Sequence, residues 1–414
     1  MHLCIFEDDL AKNFLPLTYF RPVFDLRCGI LTLRDRIIRH IGSSSVSLIA
    51  RRYLHPLLQE ENPDCSIGTV PTDATLLVNG RCIVDASLAR QFKKKLTEDV
   101  LFACNNEIAA ARLSGENLCR VIGDGDAIGS NLSDLKLPRI DVEARFIRFP
   151  WDIVHGIGEM VRTDFEFAAR KGVVQKGDVH RSAILVGKKN ISIGKKAVVG
   201  PSAVLVAESG PIHIGNNARI HPMAYIKGPC SIGEDAEIKA GARISSAIMG
   251  PQCKVGGEIQ HSIFQAHSSK QHDGFVGHSY IGEWVNLGAG TTTSNLKNTY
   301  GSVRVKLKDS LVDSGQQFFG SIIGDHAKTS INSSFSAGTT VGVSSNLLGP
   351  EVHHGKVPSF SWGREKEYSV YDLPKALEVA AKVMARRSKK ISSEYEKAFR
   401  TVFELTSHER TDFQ

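Results

Sequence analysis

A six-residue recurrence of aliphatic side chains, between residues 193 and 244, constrains the fold more than any other feature of this sequence. The recurring residues are Ile193, Val199 and Leu205 and, after a short offset, Ile214, Ile220, Ile226, Ile232, Ile238 and Ile244. Helices and strands repeat at about 3.6 and 2 residues, so neither explains a period of six. Hexads with an aliphatic residue and a small neighbour are typical of a parallel β-helix, in which stacked coils share one core.

The hexads continue to residue 347 but lose their phase between residues 255 and 276. After the break, Val276, Ile281 and Leu287 each precede a glycine, and Ile323, Thr329, Phe335, Val341 and Leu347 are again six apart. The interruption and its C-terminal flank contain His261, His267, His272 and His278. Because loops vary while a repeat core cannot, we expect the break to carry functional residues.

The composition limits the classes of partner. A net charge of +7 fits anionic small molecules such as sugar phosphates or CoA, and it is too dispersed to indicate nucleic acid. The eight cysteines form no C-x-x-C pair, which is typical of reduced thiols. No segment approaches the roughly 20 apolar residues that cross a bilayer, and no apolar run of signal-peptide length begins the chain. We therefore expect a cytoplasmic protein that binds neither nucleic acid nor membrane.

Residues 1 to about 170 predict an α/β domain with a mostly parallel, Rossmann-like sheet. Short apolar runs at residues 2–6, 46–50, 75–79, 100–104 and 146–149 alternate with helix-like stretches such as 32–40 and 88–96. Ligands of such sheets bind beyond the carboxyl ends of the strands. The loop at residues 7–29 and the segment Asn79-Gly80-Arg81 are therefore the candidate ligand-binding segments.

The first loop contains Leu15-Pro16-Leu17-Thr18 followed by Arg21-Pro22, and Asn79-Gly80 follows a predicted strand. This pattern resembles the sugar-1-phosphate nucleotidyltransferases. The resemblance implies a nucleotide held by a glycine-rich loop, and Mg²⁺ bound by an aspartate that follows the strand-end glycine.

The same segments depart from that family at its charged positions. Residues 7–9 are Glu-Asp-Asp near the place of the glycine-rich loop, Val23 stands for a lysine, and Arg81 stands for the metal-binding aspartate. Guanidinium groups bind phosphate oxygens bidentately, so one interpretation is direct phosphate binding, and the other is ordinary surface or interdomain arginines. The candidate residues for a nucleotide or sugar phosphate are Arg21, Arg27, Asn79, Gly80 and Arg81.

The segment V-N-L-G-A-G-T-T-T-S-N at residues 285–295, preceded by Ser269-Lys270-Gln271-His272 and Val276-Gly277, resembles a second group. It is similar to the acetyltransferase half of the bifunctional N-acetylglucosamine-1-phosphate uridyltransferase/glucosamine-1-phosphate acetyltransferase. Nearly the whole chain, including Pro358-Ser359-Phe360-Ser361-Trp362-Gly363, resembles a bacterial group of sugar nucleotidyltransferases related to that enzyme. The resemblance implies a left-handed β-helix that transfers an acyl group from acetyl-CoA or another acyl-CoA, as a homotrimer.

The resemblance also assigns roles to individual residues. It implies that His272 is the general base, and an imidazole near neutral pKa suits removal of a proton from an amine. Backbone amides near Gly288 to Gly290 are expected to stabilise the oxyanion. The implied acceptor-binding residues are Asn286 and Asn295, and the implied acyl-CoA-binding residues are Ala289, Ser321 and Ala337.

Two acceptor contacts differ from the family pattern. Gln260 stands where a phosphate-binding lysine is expected, and Phe275 stands where a tyrosine is expected. Losing the lysine removes a charge-assisted phosphate bond, so another amino sugar or another acyl group fits better than glucosamine 1-phosphate. Arg243 is the candidate to hold the phosphate instead.

A zinc site is an alternative use of the same histidines. His267 and His272 are five apart, as in zinc-dependent β-helix carbonic anhydrases, and His221 or His261 would be the third ligand. The third ligand has no matching context, so we predict no metal at these residues.

Residues 371–406 predict two helices that cover an open end of the β-helix. The predicted domains are therefore 1–175 (nucleotidyltransferase-like), 176–357 (β-helix) and 358–414 (helical). Together these features predict an enzyme of sugar-nucleotide metabolism that N-acylates an amino-sugar phosphate or nucleotide sugar, with an N-terminal domain that is active or only binds. The alternatives are sugar-1-phosphate nucleotidyl transfer as the main activity, with Mg²⁺, and a non-catalytic trimeric scaffold.

Overall fold

A computed structural model describes residues 2–94, 98–123, 128–169, 175–307 and 310–413. Its N-terminal part contains a seven-stranded sheet. Across the sheet, the strands are Ser66–Ile67, Val46–Ile49, His2–Phe6, Thr75–Asn79, Glu107–Leu113, Val100–Cys104 and Arg139–Asp141. Pairing is parallel except at Glu107–Leu113, which runs antiparallel to both of its neighbours. A separate antiparallel pair joins Cys82–Ile83 to Arg145–Phe146.

Helices pack around this sheet. They are Leu33–Ile41, His55–Glu61, Ala86–Phe92, Gly115–Ile122, Ile128–Ser133 and Pro150–Ala169. The last one begins at Pro150. Proline is suited to a first helical turn because its φ is fixed, and the Asp152 carboxylate accepts the N–H groups of Arg148 and Phe149 at 2.7 and 2.9 Å.

The second part is a parallel β-helix whose short strands pass in turn through three sheets. Sheet 1 contains Asp178–Val179, Val198–Val199, Arg219–Ile220, Glu237–Ile238, Lys254–Val255 and Ser269–Lys270, continues through Asn286, and ends with Lys328–Thr329, Asn346–Leu347, Ser361–Arg364 and Glu367–Val370. Sheet 2 contains Ile184–Val186, Val204–Val206, Tyr225–Lys227, Arg243–Ser245, Glu258–Gln260, Phe275–Gly277, Thr292–Thr293, Ser334–Phe335 and Val352–His353. Sheet 3 contains Ile191–Ile193, Ile212–Ile214, Cys230–Ile232, Ile248–Met249, Ile263–Ala266, Tyr280–Glu283, Ile322–Ile323, Thr340–Val341 and Lys356–Val357.

The hexad residues form the core of this β-helix. Ile220 pairs with Ile238, and Ile226 pairs with Ile244, so each aliphatic side chain lies directly on its counterpart in the next coil. These side chains are at most 1% exposed. Burying one isoleucine stabilises the fold by about 1.5–3 kcal/mol, which strands of two or three residues could not gain without stacking. The predicted solenoid core is thus confirmed.

Three corners separate the sheets, and we name each by the two sheets that it joins. Corner 3–1 carries a ladder of residues in left-handed turns, with φ of +56° at His267, +58° at Trp284 and +60° at His326. The His267 and Trp284 rings stack with centroids 4.1 Å apart. Corner 2–3 carries His261 and His278, which stack at 4.6 Å. The histidines around the break therefore lie at different corners rather than in one cluster.

Two later segments join the β-helix to the N-terminal domain. Residues 296–320 leave corner 2–3 and contain an antiparallel hairpin, Arg304–Leu307 with Ser310–Asp313. The C-terminal helices Leu373–Ala385 and Ser393–Leu405 pack along corner 3–1 instead of covering an end of the solenoid. Tyr395 accounts for this position, since its hydroxyl bonds to His326 Nε2 at 2.7 Å. The final strand of sheet 1, Glu367–Val370, pairs antiparallel with Ser361–Arg364, so sheet 1 extends beyond the predicted boundary at residue 357.

Candidate active site

The loop at residues 271–274 lies at corner 1–2 and presents the side chain of His272 to solvent. Gly274 makes the tight turn possible, because its φ is +120° and a Cβ there would be 2.2 Å from the Thr291 carbonyl oxygen. The Asp273 carbonyl accepts the Gly290 N–H at 2.9 Å, which ties the loop to the next coil. His272 is therefore exposed on a fixed backbone.

Lys270 holds this loop from inside the solenoid. It pairs in register with the core residue Val255, and its side chain is fully buried. The ammonium group donates to the carbonyl oxygens of His272 and Asp273, the latter at 2.6 Å. Burial lowers the pKa of Lys270 to about 8. A lysine in an aliphatic position thus positions the backbone beneath His272.

The segment 286–291 forms the next coil at the same corner. Asn286 is exposed on sheet 1 and bridges Ser269 and Lys328 through its backbone. The amides of Gly288, Gly290 and Thr291 donate within the protein, whereas the hydrogen bonds described for this segment leave the Ala289 amide as the available donor. Among the amides near Gly288 to Gly290 that are expected to stabilise the oxyanion, those of Gly288 and Gly290 already donate within the protein, so the Ala289 N–H is the candidate.

The outer surface of sheet 2 adjoins the His272 loop. Arg243, Glu258 and Phe275 follow one another across three coils, and a depression of about 460 Å³ lies over them and beside Asp273. The Arg243 guanidinium is largely exposed and contacts the Glu258 carboxylate at 2.5 Å. A phosphate bound by Arg243 would therefore have to compete with Glu258.

Asn295 lies at the other edge of sheet 2, against a group of aromatic side chains. Its amide nitrogen is 2.8 Å from Nδ1 of His278, which stacks on His261 and is 5.7 Å from the ring of His155. Burial, followed by the neighbouring His261 and His155, lowers the pKa of His278 to about 3. His278 is therefore a neutral hydrogen-bonding group and a poor proton acceptor near neutral pH. A Cβ on Gly277 would meet both Asn295 and the Phe275 ring, so Phe275 and Asn295 are neighbours.

The two remaining candidates for acyl-CoA binding lie under the insertion at residues 296–320. Ser321 is fully buried, and its N–H donates to Ser279 Oγ at 2.9 Å. Ala337 is half-buried and packs against the core shared with the N-terminal domain. The structure therefore separates Ser321 and Ala337 from the exposed corner that carries His272 and Ala289.

In the N-terminal domain, Arg81 is the centre of an ion-pair network at the ends of the strands His2–Phe6 and Thr75–Asn79. Its guanidinium donates to both carboxylate oxygens of Asp8, at 2.7 and 2.5 Å, and contacts Glu107 at 2.9 Å. Asn79 donates to Asp8 at 2.8 Å and accepts the Arg81 N–H. Burial acts to raise the pKa of Asp8, but the bonds from Arg81 and Asn79 lower it. Gly80 packs so closely against Phe24 that a Cβ would clash with that side chain.

This network bears on the Mg²⁺ that the family resemblance implies. Arg81 occupies the position where a metal-binding aspartate is expected. Its positively charged guanidinium already pairs with the carboxylates of Asp8 and Glu107. A divalent cation would be repelled by that guanidinium. The residues present at this site do not fit a catalytic Mg²⁺.

Arg21 and Arg27 connect the two domains. Arg21 is buried and contacts Asp325 of the β-helix at 2.5 Å and Glu283 at 3.2 Å. The Arg27 backbone N–H bonds to the Gln265 side chain and to the Tyr280 hydroxyl, each at 3.0 Å. The structure thus uses the loop that resembles a nucleotide-binding signature as an interdomain contact.

The histidines of the zinc alternative are not brought together. His272 and His221 follow sheet 1 at corner 1–2, whereas His267 lies at corner 3–1 and His261 at corner 2–3. Among the residues that the structure describes, no group of three or more His, Cys, Asp or Glu side chains could hold a metal ion.

Comparison with known proteins supports both halves of this architecture. Residues 3–172 match the family model described as sugar nucleotidyl transferase, and residues 211–246 match the model described as bacterial transferase hexapeptide (six repeats). The match to the sugar nucleotidyl transferase model thus precedes the match to the hexapeptide model along the chain. Both are transferase families, and the predicted fold, with its left-handed β-helix and C-terminal helices, is confirmed.

Curated proteins similar to this chain include bifunctional ones. A bifunctional sugar-1-phosphate nucleotidylyltransferase/acetyltransferase from Sulfurisphaera tokodaii is 33% identical over 148 residues, which cover 31% of this chain and 37% of that protein. The bifunctional protein GlmU from Geotalea uraniireducens is 30% identical over 205 residues, 42% of this chain and 43% of that protein. GlmU from Methanocaldococcus jannaschii is 30% identical over 196 residues, 47% and 40% respectively. The chain therefore spans less than half the length of these relatives.

Sequence reasoning missed two features of the hexapeptide domain. The first is Lys270, whose inward position is hidden because the break shifts the hexad phase. The second is the contact of His155 with His278, since His155 comes from the nucleotidyltransferase domain, 123 positions earlier. Outside the gaps at residues 95–97, 124–127, 170–174 and 308–309, no helix is long and apolar enough to cross a membrane.

Proposed function

We propose that the hexapeptide domain transfers an acyl group from acetyl-CoA or another acyl-CoA to the amine of an amino-sugar phosphate or nucleotide sugar. The observation that supports this most strongly is the geometry of corner 1–2. There, an exposed imidazole on a fixed loop lies one coil away from the Ala289 amide. A proton acceptor and an amide donor are the two groups that acyl transfer to an amine requires.

In the proposed reaction, His272 removes a proton from the acceptor ammonium group, and the amine then attacks the thioester carbonyl carbon. A C–N bond forms, and the Ala289 N–H stabilises the negative charge that develops on the carbonyl oxygen. The C–S bond breaks as the intermediate collapses, the nitrogen loses its second proton, and the CoA sulfur takes up that proton and leaves as a thiol. Phe275, Asn295 and Arg243 on sheet 2 would bind the sugar, and Asn286 would orient it from sheet 1.

The division of these residues between two faces supports a homotrimer. Asn286 lies on sheet 1, and Phe275 and Asn295 lie on sheet 2, so one chain encloses an acceptor from one side only. A second copy that packs at corner 1–2 would close the site. Light scattering coupled to size-exclusion chromatography should then give a mass of about three chains. A monomer that retains full activity would contradict the shared site.

The decisive test is CoA thiol release from acetyl-CoA with a panel of amino-sugar phosphates and nucleotide sugars. His272→Gln should lower kcat by about 100-fold or more, since general-base catalysis contributes roughly 10²–10⁴. His180→Gln, at another exposed turn, is the matched control and should leave the rate unchanged. If wild-type protein releases no thiol with any acceptor, or if His272→Gln is as active as wild type, the proposal fails and a non-catalytic scaffold is favoured.

Nucleotidyl transfer is the second candidate activity, and the match over residues 3–172 favours it. The Arg81 network argues against a metal-dependent reaction at the strand ends. Pyrophosphate release from UTP or dTTP with sugar 1-phosphates, measured with and without Mg²⁺, separates the two possibilities. Release that depends on Mg²⁺ would support nucleotidyl transfer and contradict our interpretation of Arg81, whereas no release would make the domain a binding module.

A further inference from the structure

The turn that joins the two C-terminal helices carries a cluster of positive charges that neither family match covers. Residues 386–390 read Arg-Arg-Ser-Lys-Lys, and Arg386, Lys389 and Lys390 are exposed. The two matched segments end at residues 172 and 246, so they assign no role to this turn. Four cations within five residues repel one another, and an anionic ligand would relieve that repulsion.

Arg387 docks this turn on the outer face of sheet 1. Its Nη2 donates to Ser269 Oγ at 3.0 Å, and its Nε is buried without a hydrogen-bond partner among the described residues. Burial, followed by the neighbouring Arg386, lowers the pKa of Arg387. The guanidinium therefore lies against the β-helix with hydrogen-bonding capacity that the protein leaves unused.

Lys328 is a second cation on the same face of sheet 1, and it is half-buried. Asn286 pairs in register with Ser269 on one side and Lys328 on the other, so Ser269 and Lys328 are two strand spacings apart, roughly 10 Å. The Lys328 ammonium donates to the His326 carbonyl at 2.9 Å, and burial lowers its pKa to about 8. Neither Lys328 nor Arg387 has a carboxylate partner among the ion pairs of the described residues. Two cations without a counter-charge thus lie on either side of the exposed Asn286.

The outer face of sheet 1 connects these two cations to the proposed acyl-transfer site. Ser269 begins the strand Ser269–Lys270, and His272 follows three positions later at corner 1–2, roughly 10 Å further along the coil. In the next coil, Asn286 likewise precedes Ala289 by three positions. A ligand that extends across sheet 1 from corner 1–2 would therefore pass Asn286 and reach the two cations with its far end.

The donor and the acceptor of the proposed reaction carry their anionic groups at different distances from the reacting atoms. In CoA, a flexible pantetheine arm separates the thioester from the diphosphate and the 3′-phosphate, whereas in an amino-sugar phosphate only the sugar ring separates the amine from the phosphate. Cations roughly 10 Å from the reacting groups therefore fit the donor better. The CoA contacts that the family resemblance implies, Ser321 and Ala337, lie under the insertion at residues 296–320, so the phosphates of CoA need another place on this chain.

We propose that Arg387 and Lys328 bind the phosphate groups of the acyl-CoA donor, with the pantetheine arm lying across sheet 1 past Asn286. This inference rests on the proposed acyl transfer and adds the C-terminal helices to the donor site. The guanidinium of Arg387 offers a planar fork of donors, and Lys328 offers a compact point charge. Both arrangements suit phosphate oxygens.

Calorimetric titration of the full chain with CoA and dephospho-CoA tests the proposal. Arg387→Met and Lys328→Met keep an unbranched stem without the charge, and each should weaken CoA binding by about tenfold or more, a loss typical of one charge-assisted hydrogen bond. Lys188→Met, on an exposed turn of the first coil, is the matched control and should leave the Kd for CoA unchanged. An unchanged Kd for CoA in both test variants would overturn the proposal, as would a wild-type protein that does not bind CoA.

Dephospho-CoA, which lacks the 3′-phosphate, identifies the phosphate group that is bound. If Arg387→Met weakens the binding of CoA but not that of dephospho-CoA, the 3′-phosphate lies at Arg387. If both ligands are weakened equally, the diphosphate lies there. Either result supports the proposal.

Steady-state kinetics separates this inference from the proposed reaction itself. Arg387→Met should raise KM for acetyl-CoA about tenfold and leave kcat and KM for the acceptor nearly unchanged, a split that a general loss of structure would not produce. A raised KM for the acceptor alone would assign the cations to the acceptor phosphate and overturn the proposal. If thiol release depends on His272 but KM for acetyl-CoA is unchanged in both variants, the inference is wrong and the acyl transfer stands. If no acceptor supports thiol release but CoA binding weakens in both variants, the proposed reaction fails and the phosphate site stands.

Discussion

The buried pair Arg21–Asp325 provides a quantitative test of how firmly the two domains are joined. Asp325 is fully buried, and its two oxygens accept from Arg21 at 3.1 and 2.5 Å. Asp325→Leu would leave the guanidinium without its main partner, for which the usual cost is about 3–5 kcal/mol. Glu283 remains 3.2 Å from Arg21, so we expect the lower end, about 3 kcal/mol. About 1 kcal/mol of this cost comes from the Glu283 N–H, which donates to Asp325 and would lose its acceptor.

The double variant Arg21→Met/Asp325→Leu removes both charges and keeps similar volumes. Replacing a buried ion pair with apolar residues is often close to neutral, so the double variant should recover all but about 1 kcal/mol. Urea unfolding followed by both circular dichroism and tryptophan fluorescence gives these free energies, provided that the two transitions coincide. Glu396→Ala, which breaks an exposed helix pair with Arg400, is the control and should cost about 0.5 kcal/mol or less. The reasoning would be refuted by a single variant as stable as wild type, or by a double variant no more stable than the single one.

Three further predictions concern the β-helix. Lys270→Met removes the two bonds that fix the His272 loop, so we expect kcat for acyl transfer to fall about tenfold or more, with faster amide exchange at residues 271–274 and an unchanged circular dichroism spectrum. Gly274→Ala should destabilise the protein by about 2 kcal/mol or more because its Cβ would clash with a carbonyl oxygen. Gly241→Ala, where φ is +68° and the surrounding space is open, should cost about 1 kcal/mol. Equal urea midpoints for the two variants would contradict this. Partial burial acts to raise the pKa of Glu237, but two lysines lower it to about 2. The stabilising contribution of the Glu237 carboxylate is therefore present above the pKa that it has in the unfolded chain, and it is lost as the pH falls through the lower pKa of the folded protein. Glu237→Gln should accordingly be slightly less stable than wild type at pH 7, and the difference in stability should shrink from about pH 4.5 downwards.

The solenoid could be predicted from the sequence because its rule is local. Each hexad places one aliphatic residue inside, and the pairing of Ile220 with Ile238 follows from that rule alone. The exposed loop of His272 also follows, since it coincides with the break in phase. The inward position of Lys270 does not, because the number of residues per coil changes there, and the register can no longer be counted from the preceding hexads.

The roles of the arginines could not be read from the sequence for a different reason. Arg21, Arg27 and Arg81 look alike as isolated basic residues near a family motif. Their partners are distant in the chain, and Arg21 finds Asp325 only when two domains dock. Docking leaves no periodic trace in either segment, so the choice between phosphate binding and an internal ion pair depends on the three-dimensional structure.

The apolar core that packs against the N-terminal sheet continues into the β-helix. It includes Leu17 and Val23 of the first loop together with Ile263, Tyr280 and Ile322 of the β-helix. Cleavage of the chain at residues 170–175, or separate expression of the two parts on either side, would thus separate two halves that share one apolar core. We expect each fragment to precipitate when it is expressed by itself, and the two to remain in solution only when they are co-expressed and reassemble.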